Sequence, residues 1–187
     1  MSIADTPSEP DPGAVRDADR GPLGAGSLAA NVVAQAAMLL TALAREDGDG
    51  GTAAQAQRIG ARAGALSISN DAAFASATRQ LVATATGEGD GFRLETALAE
   101  AAATPAVIGE TACDLAQLAA HLAHTCDGVR RADYIGIAHL SAAAASTSAA
   151  LVRSNLVIGD DDARLMAASA AAADAARAAL RASDAAR

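Results

Sequence analysis

The strongest constraint on the fold is a stretch that carries no charge, from Gly21 to Ala44, "GPLGAGSLAANVVAQAAMLLTALA". Its length would suffice to cross a bilayer. Its quality would not, because Asn31, Gln35 and Thr41 interrupt it and the commonest of the remaining residues is Ala, which adds little to insertion. A helix apolar on most faces is otherwise one that is covered on most faces. A second long uncharged stretch lies within the segment 133–158. Two such helices exceed the fully surrounded places that one small domain offers, so a bundle completed by a second copy, a homodimer, is expected.

Composition supports the same architecture. Apolar residues make up 51% of the 187 positions, yet aromatics make up only 2%, with one Tyr, two Phe and no Trp. The core must therefore be built from small side chains. Ala is the best helix former and Val/Ile alternation is nowhere sustained, which predicts an all-α fold. The length fits a single domain over 21–187. It follows a leader, 1–20, whose Pro, Asp and Ser content reads as disordered. That leader lacks the basic and apolar regions of a secretory signal, and Cys113 and Cys126 read as free thiols, so a cytoplasmic location is expected. The net charge of −8 argues against nucleic acid or an anionic membrane as partner. No lysine occurs, which removes Schiff-base chemistry on the chain.

Punctuation divides the chain into helices over about 27–45, 52–84, 93–103, 105–126 and 133–158, and a closing one after Gly159. "EDGDGGT" and "GEGDG" end the first two. Gly60 and Gly64 mark weak or close-packing points in the second, and Pro105 is expected to open a new helix. The acids Asp160 to Asp162 read as caps of the last helix.

The start of the first helix, "GPLGAGSLAA", is the first candidate site. Gly24 and Gly26 permit unusual backbone angles and Ser27 is a good N-cap, so backbone N–H groups and a hydroxyl would face a carboxylate, phosphate or oxyanion. The order of features that follows is informative. "NDAAF" with Asn70 and Phe74, "TP" at Thr104 and Pro105, and "ADYIGIAHLSAAAASTSAALVRSNLV" together resemble the cyclodeaminase/cyclohydrolase family. That all-helical domain forms the C-terminal half of formiminotransferase-cyclodeaminase and also stands alone as methenyltetrahydrofolate cyclohydrolase.

The resemblance extends from about Gly21 to Ile158 and has informative gaps. The family's PGGGS start corresponds to Gly24, Ala25, Gly26 and Ser27, preceded by Pro22 and Leu23. Its Asp in D-x-x-A-F/Y corresponds to Asn70, with Asp71 next along. Asp133 and Ala138 match a later S-D-x-x-x-x-A segment, and of N-V-x-x-N only the second Asn remains, at Asn155.

The resemblance implies breaking or closing a C–N bond by carboxylate acid/base catalysis, with no cofactor required and a tetrahydrofolate derivative as the family's substrate. Asn cannot move a proton as Asp does. Asp71 or Asp133 must then do so, or the pocket serves another reaction. The reading favoured is a diverged enzyme for cyclisation, dehydration or C–N cleavage of a small amine or imine, with a place in secondary metabolism. Its rivals are a one-carbon folate cyclohydrolase or cyclodeaminase, and a non-catalytic ligand-binding or interaction dimer. Asp133, Asp71 and Tyr134 are the candidate catalytic groups. Gly24, Gly26, Ser27, Asn70, Asn155 and Arg131 are the candidate substrate-binding ones. His121 and His124, at i, i+3, lack an acidic third ligand, so no metal site is expected. His139 lies too far around its helix from Asp133 to pair with it inside one chain.

Overall fold

The computed structural model describes residues 24–126, 128–156 and 162–186. The leader 1–20, Pro22, Leu23, Asp160 and Asp161 lie outside them. The fold is an all-α bundle. Helix α1 is Ala25–Glu46, α2 Gly50–Ala85 and α3 Gly91–Thr125; a 3-10 turn, Gly128–Arg130, leads into α4, Arg131–Asn155, and α5 is Ala163–Asp184.

Three starts use a carboxylate cap. Asp49 accepts from the Thr52 N–H at 2.9 Å, Asp90 from Phe92 at 3.0 Å and Asp162 from Arg164 at 2.8 Å. Glycines at positive φ, Gly48 (74°) and Gly87 (79°), turn the chain between α1, α2 and α3.

Side-chain pairs fix the directions. Ser27 meets Ser67, Asn70 and Asp71 at one end of the α1/α2 pair and Arg45 meets Gln57 at the other, so α2 runs antiparallel to α1. Arg130 donates to the Leu43 carbonyl at 2.8 Å, which places the start of α4 at the end of α1. Helix α5 packs on α3 and α4.

The core is mostly methyl groups. Ala30, Ala37, Ala112, Ala116, Ala138 and Ala145 are fully buried, joined by Val33, Leu40, Ile108, Leu115 and Ile137. Helices of this kind approach closely: a Cβ on Gly60 would lie 3.3 Å from that of Ala37, and one on Gly109 3.3 Å from that of Ser148. Gly64 has no such neighbour within 4 Å. Buried hydroxyls satisfy themselves within their helices, Ser141 on the Ile137 carbonyl (2.8 Å) and Ser148 on that of Ala144 (2.9 Å). Both α1 and the segment leading through α4 are long and apolar enough to span a bilayer. In the bundle, the large apolar residues Val33, Leu40, Ile137 and Val152 of these helices are in the core.

One expected break is absent. Residues 91–125 form one helix with Pro105 inside it, rather than two helices divided there. Pro105 has no N–H to give the carbonyl four residues earlier, that of Ala101. Asn155 supplies the missing donor: its Nδ2 lies 3.0 Å from the Ala101 oxygen.

Lengths differ in a way that matters for the site. Helix α2 has 36 residues and α3 35, against 22 in α1. At 1.5 Å per residue the α2/α3 hairpin is longer than α1 by about 20 Å. It continues past the first turn of α1 as an arm held together by Ala77, Ala97, Ala101 and Leu98.

Candidate functional site

The polar cluster of interest lies where the first turn of α1 meets the middle of α2. Gly24, not Ser27, is the N-cap, with extended angles (φ −70°, ψ 154°) and no side chain to cap with. Ser27 is the third residue of the helix and is entirely buried. Its hydroxyl donates to Oδ1 of Asp71 and accepts from Nδ2 of Asn70 at 3.1 Å. The Ser67 carbonyl stands 3.3 Å from the same hydroxyl, and Ser67 Oγ donates to the Ser27 carbonyl at 3.4 Å. A serine has one proton to give, and a carboxylate is the stronger acceptor. The chain of donors therefore runs from the Asn70 amide through Ser27 to the Asp71 carboxylate.

Gly26 is there for space and not for its backbone freedom. Neither Gly24 nor Gly26 has a positive φ. A Cβ at position 26 would lie 2.4 Å from Oδ1 of Asn70 and 2.7 Å from its Cγ and Nδ2, so only glycine lets that amide lie against α1. Asn70 is buried, whereas Asp71, one residue on, is exposed. The amide is structural core and the carboxylate faces outward.

The cluster unites Gly24, Gly26, Ser27, Asn70 and Asp71. The other candidates are elsewhere in the chain. Asp133 is exposed near the start of α4, at the end of α1 marked by Leu43, roughly 20 Å of helix from Ser27. It lines an apolar groove of about 520 Å³ with Leu28, Asn31, Gln35, Leu39 and Leu140.

Tyr134 is buried, and its phenol donates to Oδ2 of Asp47 at 3.3 Å. Burial, then the neighbouring Asp47 carboxylate, pushes that phenol above its usual range, which fits a hydrogen-bond donor rather than a proton carrier near neutral pH. Arg130 binds the same Asp47 at 2.8 Å and Glu46 at 2.9 Å. Arg131 donates to the Cys126 carbonyl at 2.8 Å, and its buried Nε has no partner among the described residues. Asn155 is committed to the Ala101 carbonyl. That task is a packing reason for an Asn at 155, independent of any ligand.

His139 faces α5, with Nε2 2.8 Å from Ser183 Oγ. Among the described residues no three His, Cys, Asp or Glu side chains converge on a metal position. Cys113 is a buried free thiol, pushed up chiefly by burial.

Two neighbours of the cluster escaped the sequence reading, Ser67 as a hydrogen-bonding partner and Phe74 as anything beyond a motif position. The signal was present, because 67, 70, 71 and 74 follow i, i+3, i+4, i+7, the stripe of one helical face.

The architecture has a counterpart among solved structures. Formiminotetrahydrofolate cyclodeaminase from Thermotoga maritima superposes with a TM-score of 0.76 over 92% of this chain and 92% of that one, at 20% sequence identity. The chain has the cyclodeaminase fold. The likeness resides in shape, since no family model matches the sequence and no curated protein matches it. On the cyclodeaminase fold, then, this chain places a buried serine and amide behind an outward-facing aspartate.

Proposed function

We propose that the protein is an enzyme that makes or breaks a C–N bond in a small amine or imine, with Asp71 as its general acid and base. The observation that carries this reading is the Asn70 to Ser27 to Asp71 hydrogen-bond chain. It holds one carboxylate in a fixed direction at the surface and leaves its second oxygen to a substrate. In hydrolysis, Asp71 accepts a proton from water as the water oxygen bonds to carbon, and a proton returns to nitrogen as the C–N bond breaks. Ser27 and Asn70 are positioning residues. The exchange of Asp for Asn at 70 and the presence of Asp71 beside it move the carboxylate by one residue while keeping its serine.

The fold's counterpart acts on formiminotetrahydrofolate, which makes a one-carbon folate the first substrate class to try. The test is loss of the near-UV absorbance of methenyltetrahydrofolate with wild type and Asp71→Asn. Turnover is expected to fall about 100-fold or more in the variant, the usual scale for a general acid/base. Undiminished turnover in a folded variant removes Asp71 from the mechanism. No turnover by wild type sets folate aside in favour of other amines and imines.

The proposal extends to a homodimer in the cytoplasm. Helix α1 turns Leu28 (58% exposed) and Met38 (63%) to solvent between grooves of about 520 and 570 Å³, whose linings carry one charge each, Asp133 and Arg45. On a chain of net charge −8, that mostly apolar face, whose two charges are of opposite sign, is where two copies meet without repulsion. A second copy is also the route by which Asp133 would reach a Ser27 site. Sedimentation of wild type and Met38→Glu should give a dimer and a monomer; a monomeric wild type ends this part of the proposal.

A further inference from the structure

Two of the three aromatic residues, Phe74 and Phe92, are exposed on the α2/α3 arm, while Tyr134 alone is buried. In a core of methyl groups, large apolar surface is scarce, so where it faces water is informative. Phe74 is 51% exposed and lies one helical turn beyond Asn70 and Asp71 on the same face of α2. Since α1 begins opposite residues 67–71, its described part does not extend over this ring.

We infer that Phe74 is a specificity-determining residue, the wall on which a flat, delocalised C–N cation, an amidinium or iminium, lies with its N–H edge toward Asp71. Three features select that class. The ring face favours flat and positively charged partners. Asp71 carries the only charge among the cluster formed by Gly24, Gly26, Ser27, Ser67 and Asn70, so the cluster attracts cations. The Ser27 hydroxyl already occupies one oxygen of that carboxylate, which fixes the direction in which the other meets a ligand. This rests on the reading of Asp71 as the working group and adds what it works on.

The test uses binding of benzamidinium, followed by ligand-observed NMR, with cyclohexylmethylammonium as the cation of similar size and charge that lacks a flat, delocalised C–N group. Phe74→Leu should weaken benzamidinium about tenfold and leave the cyclohexyl cation within about twofold, while Phe74→Tyr restores wild-type affinity. Phe92→Leu, at a ring still more exposed but outside the cluster, should change neither. Equal loss of both cations in Phe74→Leu, or no loss of benzamidinium, overturns the inference. If wild type turns over no folate yet benzamidinium binding depends on Phe74, the inference holds and the folate reading falls. If Asp71→Asn abolishes turnover but Phe74→Leu binds as wild type, the reverse is true.

Discussion

The two ends of α1 carry nearly the same chemistry and have opposite characters. At its C-terminal end, Asp47 takes a phenol from Tyr134 and a guanidinium from Arg130, which also holds Glu46 and the Leu43 carbonyl. At its N-terminal end, Asp71 takes a hydroxyl from Ser27, with an amide behind it. Each is an aspartate accepting from an O–H on a neighbouring helix. The first is neutralised by a cation and ties the 3-10 turn to α1. In the second, the hydrogen-bonding partners among the described residues are neutral, and no cation is bound to the carboxylate among them. A hydroxyl–carboxylate pair reads as a fastening or as a site according to what else the carboxylate binds.

Substituting the two aspartates sharpens this contrast most. Asp71→Asn is expected to remove turnover while the melting temperature stays within a few degrees. Asp47→Ala should do the opposite, leaving turnover intact and lowering stability by about 0.5–1.5 kcal/mol as Arg130 and Tyr134 lose their partly exposed acceptor. Matching effects in calorimetry and turnover would erase the distinction between the ends.

Next in size is Gly26→Ala, whose methyl cannot coexist with the Asn70 amide. Overpacking of this kind costs about 1–3 kcal/mol, and shortening the amide in Gly26→Ala/Asn70→Ala should recover most of it. A double variant no more stable than the single one would show that the amide is not the obstacle.

The smallest effect is at Tyr134. Its phenol is raised in the folded protein, so the stability it contributes is present in full below the ordinary tyrosine range near pH 10 and is lost as pH rises through the folded value. Tyr134→Phe should cost about 0.5–1.5 kcal/mol at neutral pH and flatten the alkaline limb of a melting-against-pH curve. An unchanged limb would assign it to other groups.

Much of the bundle could be read from residues alone, because uncharged Ala-rich runs and Gly/Asp clusters are local signals. The continuous α3 could not, since what makes Pro105 tolerable is an amide on Asn155, 54 residues from the carbonyl it serves. The site divides along the same line. Ser27, Asn70 and Asp71 occupy elements whose antiparallel pairing follows from a short turn, and they meet. Asp133, Tyr134, Arg131 and Asn155 fell in the right order along the chain, but order carries no distance, and each is at work or at the surface elsewhere in the bundle.

A bundle whose helices touch through methyl groups and single hydrogens has little room to vary. An added carbon at Gly60 or Gly109 meets a neighbour at 3.3 Å, so the facing helix must yield by a few tenths of an ångström to admit it. Apart from Gly89, which lies against Thr84, the arm is freer, because outward positions such as Phe74, Leu81 and Val82 are exposed. Exchanges along the free part of α2 therefore disturb the packing least, while the interior has little freedom to change.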